Sequence, residues 1–231
     1  MDFLDIFFPK YCVNCKKLGD YICSDCFSFL SFDVEKICAV CNLPTFNNLT
    51  HPRCRKRYTI DGVFSSISYK GTAKKLIYNF KYNPYVSDLE KLLTDIFYEG
   101  LIQKEEFHKV LNSQKVVLVP IPLYHLRERK RGYNHASILA EQISKKLNIP
   151  VCKVLERIKN TKTQVNLDKE ERKKNLKNAF VIAPEFKNKL KGREVFLVDD
   201  VFTTGSTLLE AANTLKRSGV KKVFGLTLAR G

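Results

Sequence analysis

Two adjacent carboxylates followed by a hydroxyl-rich loop are the residues of this chain best suited to chemistry. Asp199 and Asp200 end the apolar run 195–198, and apolar residues recur at helical spacing after residue 207. This pattern predicts a buried strand, a loop and a helix in succession. The unpaired N–H groups and positive dipole end of the helix attract a phosphate, and Gly205 lets the backbone approach it closely. Carboxylates only accept hydrogen bonds, which suits ribose hydroxyls, so the segment predicts a site for a ribose 5-phosphate.

Other phosphate-binding loops fit these residues less well. A Walker loop needs Gly-Lys-Ser/Thr and a dinucleotide fold needs three spaced glycines, and the segment has neither. The remaining alternative is an acidic pair that binds magnesium directly, with the two threonines serving only as a helix cap. The segment resembles the phosphoribosyl pyrophosphate (PRPP) motif of type I phosphoribosyltransferases. That resemblance implies that Asp199 and Asp200 contact the ribose hydroxyls, and that the 5-phosphate is held by Thr203, Thr204, Gly205, Ser206 and Thr207.

Seven of the eight cysteines lie near the amino terminus and form regularly spaced pairs with one histidine. The pairs are Cys12/Cys15, Cys23/Cys26, Cys38/Cys41 and His51/Cys54. Two-residue gaps let both ligands of a pair reach one tetrahedral zinc ion, so we expect two structural zinc sites. Consecutive pairs are the expected partners, with an interleaved arrangement as the alternative. The second site would have three thiolates and one imidazole and be less negative than the first, so its zinc should be the easier one to lose.

Length and charge restrict the class of protein. The chain has 231 residues and a net charge of +16. Most of this charge lies outside residues 1–58, which hold eight Lys/Arg against six Asp/Glu. We expect a zinc module over residues 1–58 and an α/β domain over residues 59–231. The excess positive charge of the larger domain suits polyanions and pyrophosphate-bearing ligands. No apolar run is long enough to span a membrane and the first residues are acidic, so we expect a cytoplasmic protein.

An amphipathic helix is predicted just after the first strand of the larger domain. Ala73, Leu76, Ile77 and Phe80 fall on one face and should be buried. Cations alternate with rings around this helix, a combination that binds single-stranded DNA through phosphate contacts and base stacking. The candidate DNA-binding residues are Lys70, Lys81 and Tyr82. Packing combined with solvated charge is the alternative interpretation.

Basic residues also gather after the second strand, Val116–Val119. We expect a loop over Leu126–His135, on the sheet edge that carries the paired acids, since parallel strands present their carboxyl ends together. Its candidate pyrophosphate-binding residues are Arg129, Lys130 and Arg131. Residues 103–114 read as a polar connection. The lysine-rich stretch Arg157–Phe180 predicts a mobile flap that closes over a ligand, or a plain surface loop.

The whole chain resembles the ComF family of competence-associated, phosphoribosyltransferase-like proteins. Four blocks carry the resemblance: the cysteine pairs, residues 69–82, residues 119–134 and residues 199–207 with Ala229-Arg230. The family usually has cysteine at position 51 and glutamine at position 135, where this chain has histidines. The resemblance implies a type I phosphoribosyltransferase fold, a doubly wound and mainly parallel α/β sheet, with a small double zinc ribbon at the amino terminus.

The same resemblance implies a role in handling single-stranded DNA during natural transformation, with a competence helicase as partner. PRPP with magnesium would occupy the ribose-phosphate pocket. Two alternatives remain: an active transferase that moves phosphoribosyl from PRPP to a nucleobase-like acceptor, and a scaffold that recruits the helicase. No residue stands out as a general base, and no motif selects an acceptor.

Overall fold

A computed structural model describes residues 9–82, 87–112, 115–160, 175–186 and 188–231. Its strands are β1 Gly62–Ser68, β2 Val116–Pro120, β3 Leu155–Arg157, β4 Phe180–Ile182, β5 Glu194–Phe202 and β6 Lys222–Arg230. Its helices are α1 Ser24–Phe27, α2 Gly71–Tyr82, α3 Ser87–Ile102, α4 Glu105–Leu111, α5 His125–Arg131, α6 His135–Leu147 and α7 Ser206–Arg217. Short 3-10 turns cover Pro52–Cys54 and Pro184–Phe186.

Four of these strands form one parallel sheet in the order β1-β6-β5-β2. Helices cover both faces of this sheet. On β5, Phe196 and Val198 pack in the core that contains α2, α3 and α6, whereas Val195 and Leu197 pack in the core that contains α7. Because successive side chains of a strand point to opposite faces, an uninterrupted apolar run is what a strand buried on both sides requires. The expected doubly wound, mainly parallel fold is confirmed.

The apolar stripe predicted on α2 is buried as expected, and it fixes the helix against the sheet. Ala73, Leu76, Ile77 and Phe80 are each at most 4% exposed. This packing leaves the opposite face of α2 in solvent, and it directs the carboxyl end of the helix towards Asp200. None of the helices in the described ranges is long and apolar enough to cross a membrane.

Two segments that were expected to be connections are helical. The polar stretch 103–114 contains α4, whose Phe107 is fully buried against the rings of Phe64 and Phe196. A seven-residue helix with one deeply buried ring is too short to show a clear apolar period. The expected loop Leu126–His135 instead holds α5, which ends at Gly132 in the left-handed conformation with φ 82°. Gly132 therefore caps a helix, and Asn134 caps the next one by accepting from Ala136 N.

The predicted flap lies mostly outside the described residues, since 161–174 are not part of them. Its two ends are β3 and β4, which pair as an antiparallel ribbon with Arg157 opposite Phe180. Cys152, the cysteine outside the zinc pairs, is half-buried against the core that contains α7.

Candidate functional site

The loop between β5 and α7 surrounds a small cavity of about 40 Å³. Asp199 lines this cavity together with Val201, Phe202, the five loop residues 203–207 and Leu208. The strand, loop and helix predicted from the sequence are therefore all present, and they bring one carboxylate and the hydroxyl-rich loop together. The volume suits a small group, not a whole sugar.

The start of α7 carries backbone donors suited to an anion. Gly205 occupies the N-cap position with φ 76°, and no side chain caps the helix. Within the described ranges, the N–H groups of Thr204, Gly205 and Ser206 make no hydrogen bond to a backbone carbonyl. The hydroxyl oxygens of Thr204 and Ser206 lie 3.0 Å apart. Backbone amides and two hydroxyls thus gather at the positive end of a twelve-residue helix, where a phosphate binds favourably.

The close packing around Gly205 explains why this position has no side chain. A Cβ added there would lie 2.7 Å from the ring of Phe202 and 3.3 Å from the carbonyl oxygen of Ala39. Ala39 lies between two predicted zinc ligands, Cys38 and Cys41, and is fully buried. The turn around the second zinc site is therefore a wall of the phosphate loop.

The two carboxylates differ in their contacts, although an oxygen of each and a nitrogen of His135 all lie within 4.8 Å of one another. Asp200 is 4% exposed and lies on the face covered by α2 and α6. Its Oδ2 is 2.5 Å from Nζ of Lys81 and 3.2 Å from Nε2 of His135. Burial acts to raise the pKa of Asp200, but His135 and the Lys81 ammonium outweigh it and hold the pKa below its ordinary value. Asp200 is therefore an ionised carboxylate held by two neighbours.

His135 connects Asp200 to the basic residues of α5. Its Nδ1 lies 3.0 Å from Nη1 of Arg131, and because a guanidinium can only donate, Nδ1 accepts and the proton is on Nε2. Burial lowers the pKa of His135 to about 4. The charges of Lys81 and Arg131 also lower this pKa, whereas the charge of Asp200 acts to raise it. A neutral imidazole thus accepts from Arg131 and holds its N–H nitrogen 3.2 Å from Oδ2 of Asp200. No role for His135 was predicted from the sequence; its position directly after the helix-capping Asn134 was the available signal.

Asp199 has a different environment, because it faces the cavity. Burial raises its pKa to about 7, and the charge of Asp200 adds to this effect, while Lys81 and Arg157 oppose it. One oxygen of Asp199 accepts from the backbone N–H of Asp200 at 2.9 Å. Of the two acids that the sequence assigned to ribose, Asp199 is the one that lines the phosphate cavity, and its ionisation falls near neutral pH.

The predicted pyrophosphate-binding residues lie in two different environments on α5. Arg129 and Lys130 are exposed in its last turn, whereas Arg131 packs over the ring of Tyr82, 5.0 Å from its centroid, and contacts His135. Arg157 is a further cation near the acids, and burial together with the charge of Arg127 lowers its pKa to about 10, with Asp199 acting against them. From the sequence, Arg157 was expected only at the start of the flap.

The predicted DNA-binding residues are also divided. Lys70 is exposed and Tyr82 is 53% exposed. The side chain of Lys81 is only 21% exposed and contacts Asp200, so it is a member of the acidic site and not of the outer surface. Tyr78, whose ring centroid lies 4.7 Å from that of Tyr82, is 62% exposed and takes the surface position instead.

The eight predicted zinc ligands form two clusters built from consecutive pairs. Within each cluster, ligand atoms lie within 4.8 Å of one another, and the clusters are Cys12, Cys15, Cys23 and Cys26, and Cys38, Cys41, His51 and Cys54. Four thiols, or three thiols and an imidazole, at such distances are the donor sets that structural zinc takes. In the second cluster Nδ1 of His51 lies 3.4 Å from the sulfur of Cys41, and its Nε2 lies 3.0 Å from the carbonyl oxygen of Pro44. That carbonyl orients the ring so that Nδ1 is the ligand atom.

The two zinc turns repeat each other 26 residues apart. In each turn the residue after the second cysteine has a positive φ, 65° at Lys16 and 61° at Asn42. The N–H of that residue donates to the first cysteine's carbonyl, at 2.9 Å for Lys16 and 2.8 Å for Asn42. The same backbone turn therefore presents Cys12/Cys15 and Cys38/Cys41, which accounts for the two-residue gaps of these two pairs.

Comparisons with known proteins agree with this two-part architecture. A double zinc ribbon domain matches residues 3–56, and a phosphoribosyl transferase domain matches residues 130–230. "Competence protein F" of Haemophilus influenzae is 39% identical over 62% of this chain. The match covers only 61% of that relative's own length. "DNA utilization protein YhgH" of Escherichia coli is 30% identical over 96% of this chain and 97% of its own. "Competence protein ComFC" of Bacillus subtilis is 28% identical over 96% of this chain and 84% of its own.

Full-length similarity at this level, combined with the zinc turns, the parallel sheet and the acidic strand before a phosphate loop, fixes the classification. The chain belongs to the ComF family, in which a double zinc ribbon precedes a phosphoribosyltransferase domain.

Proposed function

We propose that the protein binds PRPP or a closely related phosphoribosyl ligand, together with magnesium, as part of a role in handling DNA during natural transformation. The observation that carries the proposal is the uncapped start of α7 beside the Asp199 carboxylate. The loop amides and the hydroxyls of Thr204 and Ser206 would hold the 5-phosphate, and Asp199 would accept from a ribose hydroxyl. Bound magnesium would neutralise the pyrophosphate group.

The network behind Asp199 gives this pocket its electrostatic setting. Lys81 and His135 hold Asp200, so the ribose contact that the sequence assigned to both acids falls first to Asp199. Arg131 contacts His135, and Arg157 is near enough to Asp199 to oppose the rise of its pKa, so cations lie near both acids. A pyrophosphate that extends from the ribose would find Arg129 and Lys130 on the exposed end of α5.

Thermal unfolding with PRPP and magnesium tests this proposal. A ligand that binds only the folded state at a concentration 100 times its Kd adds about 2.7 kcal/mol of stability, so the unfolding temperature should rise clearly. Gly205→Ala should abolish the rise, because its Cβ would meet the ring of Phe202. Gly192→Ala is the matched control, since Gly192 has a similar φ of 72° and open space around it. A PRPP shift that Gly205→Ala retains in full would contradict the assigned pocket.

A second candidate function, binding of single-stranded DNA, is favoured by the outer face of α2. Lys74, Tyr78 and Tyr82 follow one another at four-residue intervals and share this face. We call the surface formed by Tyr69, Lys70, Lys74, Tyr78, Tyr82 and Arg131 the Tyr78 strip. Cations lie over its rings, with Lys74 5.6 Å from the centroid of Tyr69 and Arg131 5.0 Å from that of Tyr82.

The Tyr78 strip has the properties of a single-strand track. Exposed rings stack with bases irrespective of sequence, while the cations contact phosphates. The strip ends at Arg131, which touches His135, so a strand bound there would lie next to the acidic site. The names of two relatives refer to competence and that of a third to DNA utilization, which supports DNA as the polyanion.

Fluorescence anisotropy with a labelled oligo-dT tests the strip. Tyr78→Ala and Tyr82→Ala should each weaken binding by about 1–3 kcal/mol, the usual contribution of one stacked base. Phe46→Ala is the control, because Phe46 is 99% exposed and is not one of the residues that form the strip. If the parent and the three variants bind the oligonucleotide with equal affinity, the strip is not part of the DNA site.

An active transferase remains an alternative for the same pocket. It would release pyrophosphate from PRPP when a suitable nucleobase is present, and Asp199→Asn should lower that release. A panel of bases that gives no pyrophosphate with the parent protein would leave ligand binding as the function of the pocket. Recruitment of a competence helicase stays a prediction from the family resemblance.

A further inference from the structure

A second and larger cavity lies beside the phosphate loop, between the zinc ribbon and α7. We call it the Arg217 groove; it has a volume of about 580 Å³, within the usual range of ligand sites. One wall includes Lys56, Arg57 and Tyr58, which follow the last zinc ligand, and the other includes Thr204, Ser206 and Arg217. The groove is therefore formed jointly by both modules.

The groove and the phosphate cavity have two residues in common. Thr204 and Ser206 line both, and their hydroxyl oxygens lie 3.0 Å apart. A phosphate held at these hydroxyls would therefore lie at the end of the groove. A ligand that continued beyond that phosphate, on the side away from the ribose, would enter the groove next.

The charge of the groove suits such a ligand. Lys56, Arg57 and Arg217 are all exposed. The ring of Tyr58 orders both guanidiniums, whose carbon atoms lie 5.3 Å and 5.1 Å from its centroid, and Nε of Arg217 also donates to Asn213 at 2.9 Å.

Among the lining residues, Glu210 is the acid. Its Oε1 accepts from the backbone N–H of Asn178 at 2.7 Å, so this carboxylate already has a donor from the protein. Three exposed cations against one bonded carboxylate leave the groove electropositive, with two of the cations held in place by one ring.

We propose that the Arg217 groove binds the preceding nucleotide of a DNA single strand whose phosphodiester occupies the phosphate loop. In a nucleic acid, the 5-phosphate of one sugar is esterified to the sugar before it, so the strand continues from that phosphate. PRPP carries no group beyond its 5-phosphate, so only a DNA strand would occupy the groove. The inference rests on the proposed function, because it requires that the loop binds phosphate.

Paired measurements on the full chain test the groove. We expect Arg217→Gln and Arg57→Gln each to weaken oligo-dT binding about tenfold, the usual effect of losing one charge-assisted contact. The slope of log affinity against log salt should fall by about 0.7 for each lost phosphate contact. The PRPP-induced thermal shift should stay as in the parent, and PRPP with magnesium should displace the oligonucleotide. Arg193→Gln is the control, since Arg193 is exposed and does not line the groove.

Three outcomes would overturn the groove proposal. In one, Arg217→Gln and Arg57→Gln affect oligonucleotide affinity no more than Arg193→Gln does. In another, they reduce PRPP binding as much as DNA binding, which would make the groove part of the PRPP site. In the third, PRPP binds the protein and does not displace the oligonucleotide. Failure of the proposed function differs from all three, because PRPP would then give no thermal shift with the parent protein.

Discussion

Nε2 of His135 lies 3.2 Å from Oδ2 of Asp200, while Nδ1 of the same ring accepts from Arg131 at 3.0 Å. One neutral side chain therefore lies between a carboxylate and a guanidinium, with its acceptor nitrogen at Arg131 and its N–H nitrogen near Asp200. A glutamine amide offers the same pair, an oxygen that accepts and an N–H that donates. This equivalence gives a physical reason why histidine can occupy position 135, where the family resemblance leads us to expect glutamine.

Substitution of His135 tests this equivalence. His135→Leu removes the acceptor of the Arg131 guanidinium and the polar nitrogen near Asp200 in a buried site, so the free energy of unfolding should fall by about 1–3 kcal/mol, whereas His135→Gln should retain most of the stability. Urea unfolding at pH 7 measures both variants. Equal losses for the two would show that ring packing, and not hydrogen bonding, is the contribution of His135.

The pH dependence of stability offers a second test of His135. Because its folded pKa is lowered to about 4 from 6.5, its contribution is fully present above pH 6.5 and is lost as the pH falls towards 4. The shift corresponds to about 3 kcal/mol. The stability of the parent relative to His135→Gln should therefore decline over this range on acidification. A constant difference between the two proteins would contradict a neutral buried imidazole.

Lys81 should be the residue whose loss the acidic site tolerates least. Lys81→Met leaves the buried carboxylate of Asp200 without its cation, and breaking a buried pair in this way costs about 3–5 kcal/mol. The double variant Lys81→Met/Asp200→Asn should recover most of that loss, because no uncompensated charge remains. Urea unfolding measures each protein, with the exposed Lys91→Met as control. A single variant as stable as the control would mean that the pair does not exist in solution.

Asp199 should show the opposite pH behaviour from His135. Its folded pKa is raised to about 7 from 3.8, so the folded state holds the proton more tightly and the parent loses stability as the pH rises between these values. Asp199→Asn removes the charge and keeps an oxygen that accepts from Asp200 N. The variant should match the parent near pH 4 and exceed it by about 4 kcal/mol above pH 7. An Asn variant no more stable than the parent at pH 8 would refute the raised pKa.

The gain in stability at Asp199 should accompany a loss of ligand binding. If Asp199 accepts from a ribose hydroxyl, the PRPP-induced thermal shift should decrease in Asp199→Asn at pH 8, although the free protein is more stable. Opposite changes in stability and binding identify a residue retained for its ligand. A variant that keeps both the parent's shift and the gain would remove Asp199 from the pocket.

Local sequence patterns predicted the strands and the zinc pairs but not the contacts between distant residues. Buried strands and the zinc pairs were predictable because period and spacing are local properties of the chain. The contact between Lys81 and Asp200 joins residues far apart in sequence, and helical periodicity alone placed Lys81 on a polar face. The same holds for the second zinc turn, whose Ala39 carbonyl reaches the phosphate loop at Gly205. Only the packed fold brings these groups together.

Zinc removal should reveal the link between Ala39 and Gly205. The second site has one imidazole in place of a thiolate, so a chelator should remove its zinc before that of the four-thiolate site, in two resolved phases. Because the second zinc turn is a wall of the phosphate loop, the PRPP-induced thermal shift should disappear with the first phase.

A coloured zinc indicator follows both phases, and mass spectrometry of alkylated cysteines identifies which cluster has opened. His51→Cys should delay the first phase, since a thiolate binds zinc more strongly at this site, and should preserve the PRPP shift to higher chelator concentration. Initial alkylation of Cys12 and Cys15, or a PRPP shift that survives loss of the second zinc, would show that the two sites are not linked in this way. The second zinc ion would then stabilise the ribbon alone, and the contact at Ala39 would be packing without influence on the ligand.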